Sequence, residues 1–118
     1  MSSYFAQDDV SLPGLAAYYK VASDEEREHA IKFINYQIKR GGKVQIECIR
    51  APPTNNWENA LKSLEVSLAL EKRKSDSHLT KYLEDEFLEE QVQAIKELGD
   101  YVTQIKRAGP QGIGRIFI

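Results

Sequence analysis

Cysteine occurs once, at Cys48, in a chain of 118 residues. No disulfide can therefore close within the chain, and a lone thiol fits a reducing compartment or an intermolecular bridge. Histidine occurs twice, at His29 and His78, which gives little support to Ser/His/Asp or Cys/His catalysis. No glycine-rich phosphate loop is present, because Gly41-Gly42 reads as a helix stop. No apolar run approaches the roughly 18 residues of a membrane span, and the polar start MSSYFAQDDV shows no signal-peptide pattern. Charge of one sign is not in excess either: 16 Lys and Arg stand against 18 Asp and Glu, a net of −2. Interleaved signs exclude the basic footprint of a nucleic-acid binder and the cationic face of a membrane binder. What remains is 42% hydrophobic and 29% charged, the composition and length of one globular domain.

Stop and start signals divide the chain into three helices. Ser11-Leu12-Pro13 offers a cap and a first-turn proline, and Lys39-Arg40 precede Gly41-Gly42, so a helix is predicted over about 12–40. The stretch KVQIECIRAPPTNN alternates weakly at Val44, Ile46 and Cys48 and then meets Pro52-Pro53, which predicts an extended crossover over 41–56. Asn55 or Asn56 is expected to cap a second helix over about 57–74, with Trp57 as a core anchor at its start. Ser75-Asp76-Ser77 offers a break and a new cap, and a third helix is predicted over about 77–107, stopping before Gly109-Pro110. About 15 extended residues reach on the order of 50 Å, and a helix of about 28 residues is on the order of 42 Å long. The crossover can therefore return the chain to its starting end. This makes the first two helices parallel and the third antiparallel to the second, the topology of a bundle with one long crossover.

Each helix carries an apolar stripe at steps of three and four residues. The first reads Leu15, Tyr19, Ala22, Glu26, His29, Phe33, Tyr36; the second Trp57, Leu61, Leu64, Leu68, Glu71; the third Phe87, Gln91, Ala94, Leu98, Tyr101, Ile105. The interruptions are Glu26 with His29, Glu71, and Gln91. A buried carboxylate without a partner costs several kcal/mol, and the stripes contain no Lys or Arg. A bound metal resolves the conflict, because Glu26 and His29 at i, i+3 present an oxygen and an imidazole nitrogen on one face. Carboxylate and imidazole without thiolate suit iron or manganese better than copper(I) or structural zinc.

With these residues in place, the chain resembles the eukaryotic ferritins of the heavy, ferroxidase-bearing type. The resemblance runs through YFAQDDVSLPG, DEEREHAIKFINYQIKRGGKV, NNWENALKSLEVSLALEK and DSHLTKYLEDEFLEEQVQAIKELGDYVTQIKRAG, in family order and local spacing. EEREHA, YQIKRGG, LEEQV and IKELGDYV are its most specific parts. It implies an all-α fold, the ferritin-like four-helix bundle, for which the Glu-x-x-His motif is a standing example. It also implies that Glu26 bridges two irons, that His29 ligates the first, that Glu71 ligates the second, and that Gln91 places its amide beside the second iron. The implied chemistry is a di-iron reaction in which two Fe(II) bind, O2 takes electrons from both, and Fe(III) passes to a mineral inside a shell of 24 subunits. Glu25 and Glu28 match cavity-facing carboxylates that nucleate mineral, and Ile31 stands where a third is usual, which implies weaker nucleation. At the threefold pore Glu84 matches a family acid, whereas Lys81 replaces an Asp. The implied partners are Fe(II), O2 and other ferritin subunits, with no nucleic acid or membrane, and the implied location is the cytoplasm.

The chain also departs from the family. Its first helix is missing, with a Glu ligand of the first iron and a nearby Tyr, and so is the short helix after Ile118. The helix over about 57–74 stops well short of its family counterpart. A helix of about 18 residues leaves part of one of about 30 unpaired, so the bundle is expected to be incomplete, with an exposed apolar flank that invites association or unfolding. Segments omitted or excised from a longer subunit, or a splice or genomic fragment, are the expected origins. The alternative function is a catalytically inactive truncated chain that acts as an assembly or interaction subunit. A manganese or iron oxygenase of the same fold fits less well, since such enzymes carry Glu-x-x-His twice and this chain carries it once.

Overall fold

A computed structural model describes the backbone of residues 1–75 and 84–109 and the side chains of 1–73 and 89–109. The elements are α1 (Ser2–Phe5), α2 (Pro13–Lys39), α3 (Ala60–Ser75) and α4 (Glu84–Ala108). All are helices, as the expected all-α class requires, and no strand occurs among the described residues. None of these helices is long and apolar enough to cross a membrane. The chain divides into two compact units, Met1–Asn56 and Trp57 onward.

In the first unit α1 packs against the start of α2. Phe5 is fully buried, Leu15 is 1% exposed and Tyr19 7%. Ser2 Oγ donates to the Ala16 carbonyl at 2.8 Å. The sequence reading did not anticipate α1, because four residues are too few to show a period. Nor does Ser11 cap α2. Its backbone sits at φ 46° and its N–H is bonded to the Gln7 carbonyl at 2.7 Å, so the cap position falls to Leu12, without a side-chain bond. Pro13 fills the first turn as expected; with no N–H to satisfy, it lowers the demand for a cap.

At the far end of α2, Gly41 takes φ 82°. Its N–H bonds to the Ile38 carbonyl and that of Gly42 to the Gln37 carbonyl, both at 2.9 Å, which is the Schellman ending. A Cβ at Gly42 would lie 2.8 Å from Gln37 Cγ, so both glycines are required, for different reasons. The predicted stripe is buried only at Leu15 and Tyr19. Phe33 and Tyr36 are 38% and 39% exposed, because α1, on the order of 6 Å long, covers only the first turns of α2.

Residues 43–58 contain neither helix nor strand. Ile46 and Ile49 are 80% and 92% exposed. The end of this segment is tied down by side chains: Asn56 N–H donates to Thr54 Oγ1, and Tyr4 Oη donates to Asn56 Oδ1 at 2.9 Å.

The second unit corrects the predicted start of its first helix. The cap of α3 is Asn59, whose Oδ1 accepts from Lys62 N–H at 3.0 Å, not Asn55 or Asn56. Trp57 precedes the helix and is half-buried. Glu58 lies at φ 59°, a left-handed conformation through which a right-handed helix cannot run. The helix α4 stops at Gly109, φ 74°. Lys106 Nζ meets Glu65 Oε1 at 2.9 Å, whereas Gln91 near the other end of α4 reaches Glu71. That order makes α3 and α4 antiparallel, as expected. Their core is Ala60, Leu64, Leu98, Val102 and Ile105. Ser63 is also fully buried, its hydroxyl donating to the Ala60 carbonyl at 2.9 Å, a local bond that lets a polar residue sit in an apolar seam. The stripe named Tyr101 where Val102 is the buried residue. The predicted cap at Ser77, together with His78, Lys81 and the side chains of Glu84 and Phe87, lies outside the described residues.

Candidate metal centre

Glu26 and His29 stand one turn apart on α2, with Glu26 Oε1 and His29 Nδ1 separated by 3.9 Å. That is too long for a hydrogen bond but lies within the span of about 4.2 Å that two donors, each about 2.1 Å from one cation, can bridge. The His29 side chain is 24% exposed and that of Glu26 52%. The expectation of a buried carboxylate is therefore corrected at Glu26, since the cover that α1 gives to Leu15 and Tyr19 does not extend to it. Glu26 lines a cavity of about 360 Å³ together with residues 1–3, Tyr19, Ala22 and Ser23. Tyr19, Ala22 and Glu26 follow one another along the stripe, so the wall of this cavity was legible in the helical period.

The second pair lies in the other unit. Glu71, on α3, and Gln91, on α4, are both half-buried. Gln91 Nε2 donates to the Glu71 backbone carbonyl at 3.4 Å, so the amide lies beside residue 71 through its main chain. Within either unit, among the described residues, no three His, Cys, Asp or Glu side chains stand close enough to hold one ion.

Around the first pair, Glu25 and Glu28 are exposed on α2. Ile31 is 48% exposed, three residues after Glu28, and ends that acidic run. Glu84 is the first residue of α4.

A family described as "Ferritin-like domain" matches residues 1–76. "Soma ferritin" of Lymnaea stagnalis is 44% identical over 128 aligned residues, covering 97% of this chain and 73% of the relative. "Ferritin heavy chain" of Echinococcus granulosus is 42% identical, with the same coverage of each. "Ferritin, middle subunit" of Aquarana catesbeiana is 43% identical over 123 residues, covering 92% of this chain and 70% of the relative. The chain belongs to the ferritin family. Its function is accordingly iron storage. The alignment with the Lymnaea ferritin runs over 128 positions against the 118 residues of this ferritin, so the relative carries positions that have no counterpart here. Relatives named as heavy and as middle subunits match at nearly the same identity, and similarity alone does not choose between those types.

Proposed function

We propose that this ferritin is of the heavy type: it oxidises Fe(II) with O2 at a di-iron site and passes the ferric product to a stored mineral. Glu26, His29, Glu71 and Gln91 are the residues assigned to the substrate iron. The observation that carries the reading is the Glu26–His29 pair, an oxygen and a nitrogen 3.9 Å apart beside an open cavity. Two Fe(II) each give one electron to O2 as they become Fe(III). The Glu26 carboxylate has two oxygens and is suited to bridge two cations. The His29 imidazole binds in its neutral form through one ring nitrogen, and Glu71 supplies the second negative charge. Gln91 is neutral and serves as a polar neighbour instead of a charge partner. This donor set of oxygen and imidazole nitrogen suits iron. Glu25 and Glu28 are assigned to nucleation of the ferric mineral, with Ile31 limiting it, and Glu84 to the cation entry path. The protein works in the cytoplasm, joined with other ferritin subunits in a 24-subunit shell.

The test is Fe(II) oxidation followed by absorbance in air. The unsubstituted protein should oxidise iron well above buffer, and replacing Glu26 and His29 by Ala together should return the rate to the buffer value. An unchanged rate in that double variant would sink the assignment. Light scattering on the same sample separates a shell-sized particle from a small inactive assembly chain.

A further inference from the structure

Besides the stripe that carries Glu26 and His29, α2 bears a second apolar face. Ile31, Ile34 and Ile38 follow one another at steps of three and four residues, roughly a third of a turn round the helix from that stripe. Ile31 is 48% exposed and Ile38 55%, and Ile34 between them is half-buried. Arg27 precedes the three at the same step. Further back the face is polar, with Lys20 and Asp24 ion-paired across one turn. A ferritin of the heavy type usually carries a carboxylate where this chain has Ile31, and that replacement makes the apolar face continuous. Charges flank it in a self-complementary order. Glu28 and Lys39 are both exposed, and their spacing of about three turns puts them on one edge of the face, with Ile34 close to the midpoint between them.

We propose that this face joins two copies of the chain, α2 of one lying antiparallel on α2 of the other about a two-fold axis at Ile34. Steps of three and four are what a helix needs to interlock with another helix along a seam. About that axis Ile31 meets the partner's Ile38 and Ile34 meets the partner's Ile34, and each contact occurs twice, as in any isologous interface. Glu28 comes within about 3 Å, measured along the helix, of the level of the partner's Lys39, so two ion pairs close the same edge. A parallel pairing would set Glu28 against Glu28 and Lys39 against Lys39, and like charges in register disfavour it. A second copy is the occupant for which apolar centre and charged flank agree at one register. The seam is short beside a standard interface of about 20–30 residues a side, so it orients neighbouring subunits within a larger assembly and holds a free pair only weakly. It uses none of the four residues assigned to iron. Where it forms, Lys39 engages Glu28 and withdraws it from nucleation of the mineral.

The experiment places single cysteines in the full chain carrying Cys48→Ser, which removes the exposed native thiol, and oxidises them in air. Ile34→Cys sits on the two-fold axis, where two α-carbons approach closely enough for a disulfide, and should give a cross-linked dimer on a non-reducing gel. Val21→Cys, at a position 58% exposed but away from the seam, should stay largely uncross-linked. In the Ile34→Cys chain, Ile31→Glu should remove most of the dimer, and so should Glu28→Lys. Adding Lys39→Glu to Glu28→Lys should restore it, because the reversed charges pair again, while circular dichroism checks that each variant keeps its helices. No dimer from Ile34→Cys, or equal cross-linking at Val21 and Ile34, would overturn the pairing. A dimer that Glu28→Lys removes and Lys39→Glu does not restore would overturn the antiparallel register. Each of these results leaves the iron-oxidising reading of Glu26 and His29 standing, since that reading is tested by Fe(II) oxidation alone.

Discussion

Tyr101 Oη donates to Glu97 Oε1 at 2.7 Å, one turn earlier on α4. That bond, helped by partial burial and by the charge of Glu97, raises the Tyr101 pKa above its ordinary value. The folded chain therefore holds this proton more tightly than the unfolded one. Its contribution to stability is fully present below the ordinary tyrosine pKa and is lost as pH rises through the raised value. In an alkaline titration followed by phenolate absorbance, Glu97→Gln should move the Tyr101 transition to lower pH, and an unmoved transition would refute the pairing. Sequence spacing was a good guide where a residue acts with its own helix. Glu26 and His29 were legible at i, i+3, and α2 brings their heteroatoms to 3.9 Å. It was a poor guide where the partner lies far away in the chain. Asn56 looked like a cap, but its side-chain oxygen accepts the hydroxyl of Tyr4, 52 residues earlier, and no local pattern announces that bond.

At the level of elements, the ends of helices separate what the sequence could and could not tell. The C-terminal stop of α2 was readable, because two adjacent glycines after Lys39-Arg40 have few other uses. The start of α3 was not, because Asn55, Asn56 and Asn59 are equivalent as capping residues and the left-handed Glu58 has no sequence signature. Since Asn59 is the residue that bonds the first turn, Asn59→Ala should lower stability by about 1 kcal/mol. Asn55→Ala should leave the denaturation midpoint nearly unchanged. Equal losses in the two variants, measured by urea unfolding, would contradict the cap assignment. On α4 the stripe reading placed Leu98 and Ile105 in the core, where both are buried. It chose Tyr101 over its neighbour Val102 because a strict three-four step cannot register a small rotation of the buried face.

For the molecule as a whole, family membership and the all-α class were legible from the motifs, and the related ferritins support them. Burial along α2 was not legible, because a stripe reports which face is apolar and not how far a neighbour extends along it. The buried residues of the first unit include Phe5, Leu15 and Tyr19, and those of the second Leu64, Leu98 and Ile105. Leu64 is fully buried, and Leu64→Ala should cost about 2–5 kcal/mol. Hydrogen exchange should then quicken across α3 and α4 more than across α1 and the first turns of α2. Uniform acceleration over the whole chain would show one cooperative core instead.

The bond from Tyr4 to Asn56 also bears on the order in which the first unit forms. Closing a flexible loop of about 50 residues costs on the order of 3–4 kcal/mol in chain entropy, more than the roughly 0.5–1.5 kcal/mol that one hydrogen bond returns. It cannot draw the ends together by itself. The helix α2 must first stiffen the intervening chain, and Phe5 must seat against Tyr19, before Tyr4 meets Asn56. The latch is thus the last piece of its unit to set during folding and, by reversibility, the first to let go.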